Sequence, residues 1–312
     1  MKHERGLALA AFVTVCLVWG TTYLAIRIAV ETIPPFLLTA MRFITAGTVM
    51  LAIARARGER IPTKRSTLLN LAVIGFLMIA VGNVAVVWAE QWVPSGLAAL
   101  FVASAPFWMA ILEMFRTGGE RIDARAAIGM LIGFGGVALL VTPQGAAGAW
   151  DIHFVLGAIV MQLGSIGWQL GSLRGKYYLK DVPLLASASL QMLFGGLIVG
   201  AIGLIAGEPA RLHFTPRTFG ALAYLTIFGS IIAYSAYVYA LAHMRTTKMS
   251  LYAYINPVVA VILGWLILHE QLTWVSILSM CVILAGVALV QTAGTKRRNL
   301  ATPPASEEMN AA

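Results

Sequence analysis

The chain has 312 residues, of which 59% are hydrophobic and 11% are charged. Soluble domains carry about a quarter charged residues, so this composition excludes an ordinary soluble protein and indicates a membrane protein. Lys and Arg number 22 against 13 Asp and Glu, which gives a net charge of +9. In so apolar a chain, we attribute the basic excess to cytoplasmic loops that face anionic lipid, and we predict no nucleic-acid partner.

Apolar intervals long enough to cross a bilayer succeed one another along the chain. One crossing needs about 20 apolar residues. Ten intervals qualify: 6–26, 32–54, 66–89, 91–112, 126–150, 152–173, 182–207, 218–244, 249–269 and 271–295. The first is longer than the core of a signal peptide, so we predict that it stays as a helix. Residues 295–312 lack apolar surface and are predicted to form a disordered cytoplasmic tail.

The charges of the loops orient the predicted helices. With the N-terminus in the cytoplasm, only Arg27, Arg211 and Arg217 of the basic loop residues fall outside. Because a missed helix would invert every later loop, this skew supports ten crossings with both termini cytoplasmic. We therefore predict a multi-pass membrane protein.

The two halves of the chain match each other at an offset of about 150 residues. Pro106 aligns with Pro257, and the run Gly-Val-Ala-Leu that begins at Gly136 recurs at Gly286. A unit of five crossings reverses the orientation of its copy, and the basic residues of equivalent loops change sides as this requires. We predict two inverted five-helix repeats around a midplane cavity, a layout typical of secondary transporters. The repeats would span 1–147 and 148–294.

Several motifs have a familiar arrangement. In chain order they are Trp19-Gly20-Thr21-Thr22-Tyr23, Pro34-Pro35 with Arg42, the stretch from Ala89 to Leu100 followed by Ala105-Pro106, then Asn256-Pro257 and His269-Glu270. Together they resemble the EamA family of the drug/metabolite transporter superfamily, over about residues 5–292. The resemblance implies an all-α membrane protein whose ten transmembrane helices form two inverted EamA repeats around a central cavity. It also implies a multi-pass protein of the bacterial plasma (inner) membrane that exports small metabolites such as amino acids or facilitates their passage, without identifying the cargo.

Arg42 is the strongest single indication of a site. It follows Pro34 by eight residues, or roughly 12 Å of helix, which places a cation in the hydrocarbon layer. We interpret it as a cavity-facing cation that attracts a carboxylate. Snorkelling, or pairing that only fixes the packing of its helix, is the alternative.

Other polar and aromatic residues at helical spacing complete the predicted substrate cavity. With Arg42 they are Trp19, Tyr23, Asn83, Glu90, Gln162, Trp168, Gln169, Tyr234, Tyr237, Tyr254 and Asn256. Hydrogen bonding between helices, core packing and interfacial anchoring are alternative uses of these side chains. Pro106 and Pro257 lie mid-span in equivalent helices and are predicted to be hinge or gate elements, or else static kinks.

Titratable and catalytic groups are scarce in the predicted spans. Glu90 and Glu113 are the acidic candidates near the spans, and neither is deep, which predicts weak or absent obligatory proton coupling. The spans lack paired aspartates and the sequence lacks H-E-x-x-H, so we predict no enzyme activity, no catalytic residue, no cofactor and no metal.

These observations combine into one predicted function. The protein is expected to be a secondary transporter that exports small metabolites, amino acids or related amphipathic compounds, by alternating access. An importer, a facilitator or a channel-like permease with the same fold is the alternative. The expected partners are a small-molecule substrate and the lipid bilayer, and the expected state is a monomer or a weak homodimer.

Overall fold

The computed structural model describes residues 2–115, 120–121, 124–140, 142, 150–244, 249, 252–292 and 296–297. Its helices are α1 Lys2–Ala29, α2 Pro35–Ala56, α3 Arg65–Ala89, α4 Ser95–Val102, α5 Ala105–Phe115, α6 Ala124–Leu140, α7 Ile152–Tyr178, α8 Leu184–Ile205, α9 Pro216–His243, α10 Tyr252–Leu268 and α11 Trp274–Thr292. Two short strands, β1 Glu120–Arg121 and β2 Lys296–Arg297, pair antiparallel. The predicted repeat junction at 147–148, and the predicted tail except β2, lie outside the described residues.

Most of these helices are long and apolar enough to cross a membrane. In the described part of the chain, seven runs qualify: Gly6–Ala29, Pro35–Ala56, Arg65–Ala89, Ser95–Phe115, Ile152–Tyr178, Leu184–Ile205 and Pro216–His243. Three shorter apolar helices cover Ala124–Leu140, Ile255–Leu268 and Trp274–Leu289. Large aliphatic side chains such as Leu131 and Ile205 lie on the outer surface, as contact with lipid tails requires. The prediction of an all-α membrane protein is confirmed.

Three helices begin after a proline and are capped by a carboxylate from a distant part of the chain. The N-cap residues Pro34, Pro94 and Pro183 provide no side-chain cap for α2, α4 and α8. The missing acceptors are supplied by Glu208 for α2, by Glu270 for α4 and by Glu59 for α8. Each carboxylate satisfies main-chain N–H groups that a helix start leaves without partners and complements the helix dipole.

α3 and α9 each contain a π-helical segment near the middle. The segments are Phe76–Asn83 in α3 and Leu225–Ile232 in α9. They occupy equivalent positions of the two halves, at an offset of 149 residues. π-helical turns are rare and occur frequently at functional sites. Both segments contribute residues to the cavity described below.

Glycine allows the closest helix contacts. A Cβ on Gly286 of α11 would lie 2.5 Å from the main-chain nitrogen of Gly133 and 2.6 Å from the carbonyl oxygen of Gly129, both on α6. A Cβ on Gly75 of α3 would collide with the carbonyl oxygen of Gln191 on α8. The spaced glycines therefore permit backbones to touch, which is how small residues join membrane helices.

Candidate functional site

A cavity of about 80 Å³ lies inside the bundle, between α1, α2, α3, α7, α9 and α10 and beside the α4–α5 junction. Its volume accommodates a few water-sized molecules. The sequence-predicted residues that line it are Trp19, Tyr23, Arg42, Asn83, Trp168, Gln169, Tyr234 and Asn256. Residues from helices far apart in the sequence thus meet around one space.

Arg42 places a buried guanidinium on the wall of this cavity. Its side chain is 3% exposed. Its Nε donates to Ser230 Oγ at 2.7 Å, and the guanidinium carbon lies 4.7 Å from the centroid of the Phe43 ring. Nη1 is buried with no hydrogen-bond partner among the described residues. Because an unpaired buried cation is costly, this nitrogen is suited to donate to an anionic group that enters the cavity.

The π-helical segment of α9 supports Arg42 at close range. The carbonyl oxygen of Gly229 accepts a hydrogen bond from Trp19 Nε1 at 3.1 Å. A Cβ on Gly229 would lie 2.8 Å from Arg42 Nη2 and 3.0 Å from Thr22 Cγ2. The absence of a side chain at residue 229 therefore makes room for the guanidinium.

Asn83 ends the π-helical segment of α3 and presents a second unsatisfied polar atom. Its Oδ1 is buried and has no hydrogen-bond partner in the described parts of the chain. Gly82 beside it lies against Trp168, since a Cβ there would be 3.1 Å from the Cβ of Trp168. The cavity therefore offers one free donor atom on Arg42 and one free acceptor atom on Asn83.

Five aromatic side chains pack together at one side of the cavity: Trp19, Trp168, Tyr234, Tyr237 and Tyr252, here called the aromatic cluster. The Trp19 ring centroid lies 5.0 Å from that of Tyr237 and 5.5 Å from those of Trp168 and Tyr252. The Tyr237 hydroxyl accepts from Trp168 Nε1 at 3.3 Å and bonds Ser172 Oγ at 2.8 Å. Tyr237 itself is not among the cavity-lining residues, because these bonds and rings enclose it.

Gln162 also lies away from the cavity, because its amide joins α7 to the break between α4 and α5. Its Oε1 accepts from Ser104 Oγ at 2.7 Å and from Trp108 Nε1 at 2.8 Å. Its Nε2 donates to the carbonyl oxygen of Phe101 at 3.1 Å. The amide therefore forms three hydrogen bonds between helices, which is the alternative that the sequence leaves open for it.

The predicted hinge prolines occupy different local structures. Pro106 follows the break between Val102 and Ala105, at the start of α5. Pro257 lies inside the continuous helix α10. Asn256 beside it, with its amide nitrogen turned toward α1, reaches the carbonyl oxygens of Cys16 at 2.9 Å and Tyr252 at 3.2 Å. The side chain of Tyr254 on the same helix lies outside the described residues.

A wider, polar depression of about 580 Å³ lies at the end of the bundle where α1, α3 and α10 finish. We call it the vestibule. Its lining includes Arg27, Glu31, Gln91, Trp92 and Glu270. Both signs of charge are present, so the vestibule attracts polar solutes rather than lipid tails.

Glu90 lies in the protein interior at the end of α3 and does not line the central cavity. It is 0% exposed, and neither carboxyl oxygen has a hydrogen-bond partner within the described ranges. The Arg27 guanidinium donates instead to the main-chain oxygen of Glu90. The position of Glu90 after the last residue of a helix suggests a water-exposed side chain, whereas the structure buries it completely.

Sequence reasoning misses several cavity residues that carry no polar side chain. Gly82, Gly164 and Gly229 line the cavity, and each allows a neighbouring helix to approach closely. Spaced glycines in a sequence indicate helix packing only, and the π-helical segments that hold two of these three have no sequence marker. In the part of the chain that the structure describes, no group of three or more His, Cys, Asp or Glu side chains could hold a metal ion.

Apolar helices surround a cavity with a few polar groups, an arrangement that a membrane transporter requires. The EamA-like transporter family matches residues 6–142 and again 155–292, so the chain belongs to this family and contains its domain twice. The prediction from the sequence motifs is confirmed.

Individual relatives agree with this assignment. The chain is 38% identical to the "Uncharacterized inner membrane transporter YedA" of Escherichia coli (strain K12), over 93% of this chain and 92% of that protein. It is 20% identical to the "Uncharacterized transporter YoaV" of Bacillus subtilis (strain 168), over 88% and 93%. A solved crystal structure shares the fold with a TM-score of 0.67 at 21% identity, over 91% of this chain and 96% of the other. The protein is a multi-pass inner-membrane transporter.

Proposed function

We propose that the protein exports small metabolites that carry an anionic group, amino acids or related amphipathic compounds, through the central cavity by alternating access. This proposal depends on one observation. Nη1 of Arg42 has no hydrogen-bond partner among the described residues, and Arg42 lies on the wall of a cavity lined by aromatic rings. A carboxylate would pair with the guanidinium, and the rings would contact the apolar part of the solute. Small-molecule binding and the lipid bilayer are the partners this requires, and a monomer or weak homodimer is sufficient for it.

The proposal includes ten crossings in two inverted repeats, with both termini cytoplasmic. Seven long helices and three shorter apolar helices in the described residues supply that number. A helix of 17 residues, such as α6, is about 26 Å long, close to the thickness of the hydrocarbon core. Equivalent π-helical segments in α3 and α9, and the family match to each half, support the repeat.

In this topology, the vestibule opens to the outside and the aromatic cluster lies on the cytoplasmic side of the cavity. The cluster then separates the cavity from the cytoplasm. For a solute to enter the cavity from the cytoplasm, the side chains of the aromatic cluster must move apart. Release of the solute to the outside leads through the vestibule. Rocking of one repeat against the other would produce both states.

Ligand-dependent thermal unfolding tests the solute class. Purified wild-type protein is screened against amino acids, other carboxylic acids and their amides, because a ligand that binds the native state raises its apparent stability. We expect stabilisation by acids, little by the matched amides, and loss of the difference in Arg42→Gln, which copies Gln191 of the second half. Arg217→Gln, at a half-exposed ion pair with Glu31, is the control.

Counterflow in proteoliposomes tests transport of the acid so found. A carrier accumulates labelled solute against unlabelled solute on the other side, whereas a channel does not. If acids and amides stabilised the protein equally, or if Arg42→Gln kept the wild-type preference for acids, the role of Arg42 would be structural. Absence of counterflow would contradict the carrier mechanism.

A further inference from the structure

Two carboxyl groups near the vestibule have opposite surroundings. Glu270 accepts hydrogen bonds from Ser95 N at 2.7 Å, Ser95 Oγ at 2.9 Å and Gly96 N at 3.1 Å. These donors, at the start of α4, give both carboxyl oxygens of Glu270 hydrogen-bond partners. Glu90 receives no such donor from the described residues, and both of its carboxyl oxygens are buried. A buried carboxyl group without a donor disfavours its charged form, so Glu90 is the candidate of the two for binding a proton.

The charged and titratable groups around Glu90 come from two other elements. Within the described residues, Arg27 and Tyr23 of α1 and Glu270 before α11 interact with it electrostatically. Burial raises the pKa of Glu90 well above its usual range, the Glu270 carboxylate raises this pKa further, and Arg27 lowers it. Burial is the largest of these influences, so the neutral carboxyl group is the favoured form.

Arg27 connects this buried group to water. Its guanidinium lines the vestibule and is bonded to the main-chain oxygen of Glu90. Arg27 therefore adjoins both Glu90 and the vestibule, and a cation that interacts with the carboxyl group can pair with the carboxylate once the proton leaves.

We propose that Glu90 is a proton-binding site that exchanges its proton with water in the vestibule. On release, the O–H bond of the carboxyl group breaks, water takes the proton, and the electron pair remains on the carboxylate. Arg27 then turns from the main-chain oxygen to the carboxylate. The Glu90 carboxylate therefore balances the charge of Arg27 only after the proton is released, so the vestibule attracts anions more strongly at low pH.

Infrared difference spectroscopy of the purified full-length protein tests proton binding directly. The carbonyl stretch of a protonated carboxyl group is followed while the pH is raised. A free glutamate titrates near pH 4.3, and we expect a wild-type band that persists at higher pH, where a free glutamate is ionised. This band should be missing in Glu90→Gln and retained in Glu31→Gln, whose carboxylate is half-exposed at the vestibule. A band of equal intensity in wild type and Glu90→Gln would overturn the proposal.

Quenching of tryptophan fluorescence tests the switch of Arg27. Trp92 lines the vestibule, so the part of the iodide quenching that is lost in a Trp92→Phe variant reports the electrostatic potential there. Iodide is an anionic quencher, and acrylamide, which is neutral, controls for access. We expect the ratio of iodide to acrylamide quenching to fall as the pH rises in the wild type and in Glu31→Gln. In Glu90→Gln the ratio of iodide to acrylamide quenching should stay at its low-pH value as the pH rises. Thermal unfolding verifies that each variant is folded, and Glu90→Asp, which retains a carboxyl group, should restore the pH dependence. The same pH dependence in Glu90→Gln as in the wild type would contradict the proposal.

Discussion

The carboxylate of Glu208 accepts the main-chain N–H of Leu37 at 2.8 Å, across 171 residues of sequence. The other oxygen accepts from Phe36 N at 3.3 Å, and the side chain is 1% exposed in total. Glu59 does the same for α8, with Ala186 N at 3.0 Å. Glu59 and Glu208 are related by the same offset of 149 residues as the π-helical segments. Each carboxylate thus lies in one family-matching half and caps a helix in the other.

Glu208→Ala should destabilise the protein by about 1–3 kcal/mol, since it leaves buried N–H groups of α2 without an acceptor. Thermal unfolding in detergent, followed by tryptophan fluorescence, measures the change. Glu31→Ala is the control, because its carboxylate lies nearby in an exposed ion pair, which contributes little. Equal melting temperatures for the two variants would contradict the capping role.

Gly229→Ala should weaken binding of carboxylates by roughly tenfold, because the added methyl group displaces Arg42 and such overpacking costs about 1–3 kcal/mol. The measurement is the shift in melting temperature with the acid that stabilises the wild type. Gly220→Ala is a matched control on α9, since a Cβ there meets nothing within 4 Å. If Gly229→Ala retained wild-type binding, Gly229 would have no part in positioning the guanidinium.

Gly286→Ala should lower stability, because its Cβ would press on the main chain of α6 and force α6 and α11 apart. A loss of about 1–3 kcal/mol is typical of overpacking. Gly135→Ala on α6 has open space around the new Cβ and should leave the melting temperature unchanged or slightly higher. A melting temperature for Gly286→Ala equal to that of Gly135→Ala would show that the two helices can separate without cost.

Gln162→Leu should destabilise the protein by about 1–3 kcal/mol, because it leaves the partly buried Trp108 Nε1 without its acceptor. Ser104 Oγ and the carbonyl oxygen of Phe101 can still bond each other. Gln91→Leu serves as a comparison, because Gln91 donates to Trp88 O within its own helical turn. Preference for acids over amides should persist in Gln162→Leu. Loss of that preference with normal stability would instead return Gln162 to the substrate site.

Hydropathy and residue type predict the helices and the inward direction of Arg42, but they do not predict contacts between distant segments. The apolar intervals locate the helices, and the cost of a charge in lipid places Arg42 inward. The roles of Glu90 and Gln162 depend on which helices pack around them, and the sequence near these two residues does not specify those helices. The π-helical segment Leu225–Ile232 contains no residue that distinguishes it from an ordinary apolar helix, because tertiary packing selects the wider turn. Two prolines that align between the halves differ as well, since only Pro106 adjoins a helix break.

The long-range carboxylate caps also constrain how the chain is made. Because α2 enters the bilayer before Glu208 has been synthesised, its first N–H groups must rely on water or lipid headgroups until the later segment arrives. The acceptor for the start of α8 has already been synthesised when that helix is made, since Glu59 precedes α8 in the sequence. Assembly of the first half is therefore completed only after translation has passed Glu208, and for α4 only after it has passed Glu270.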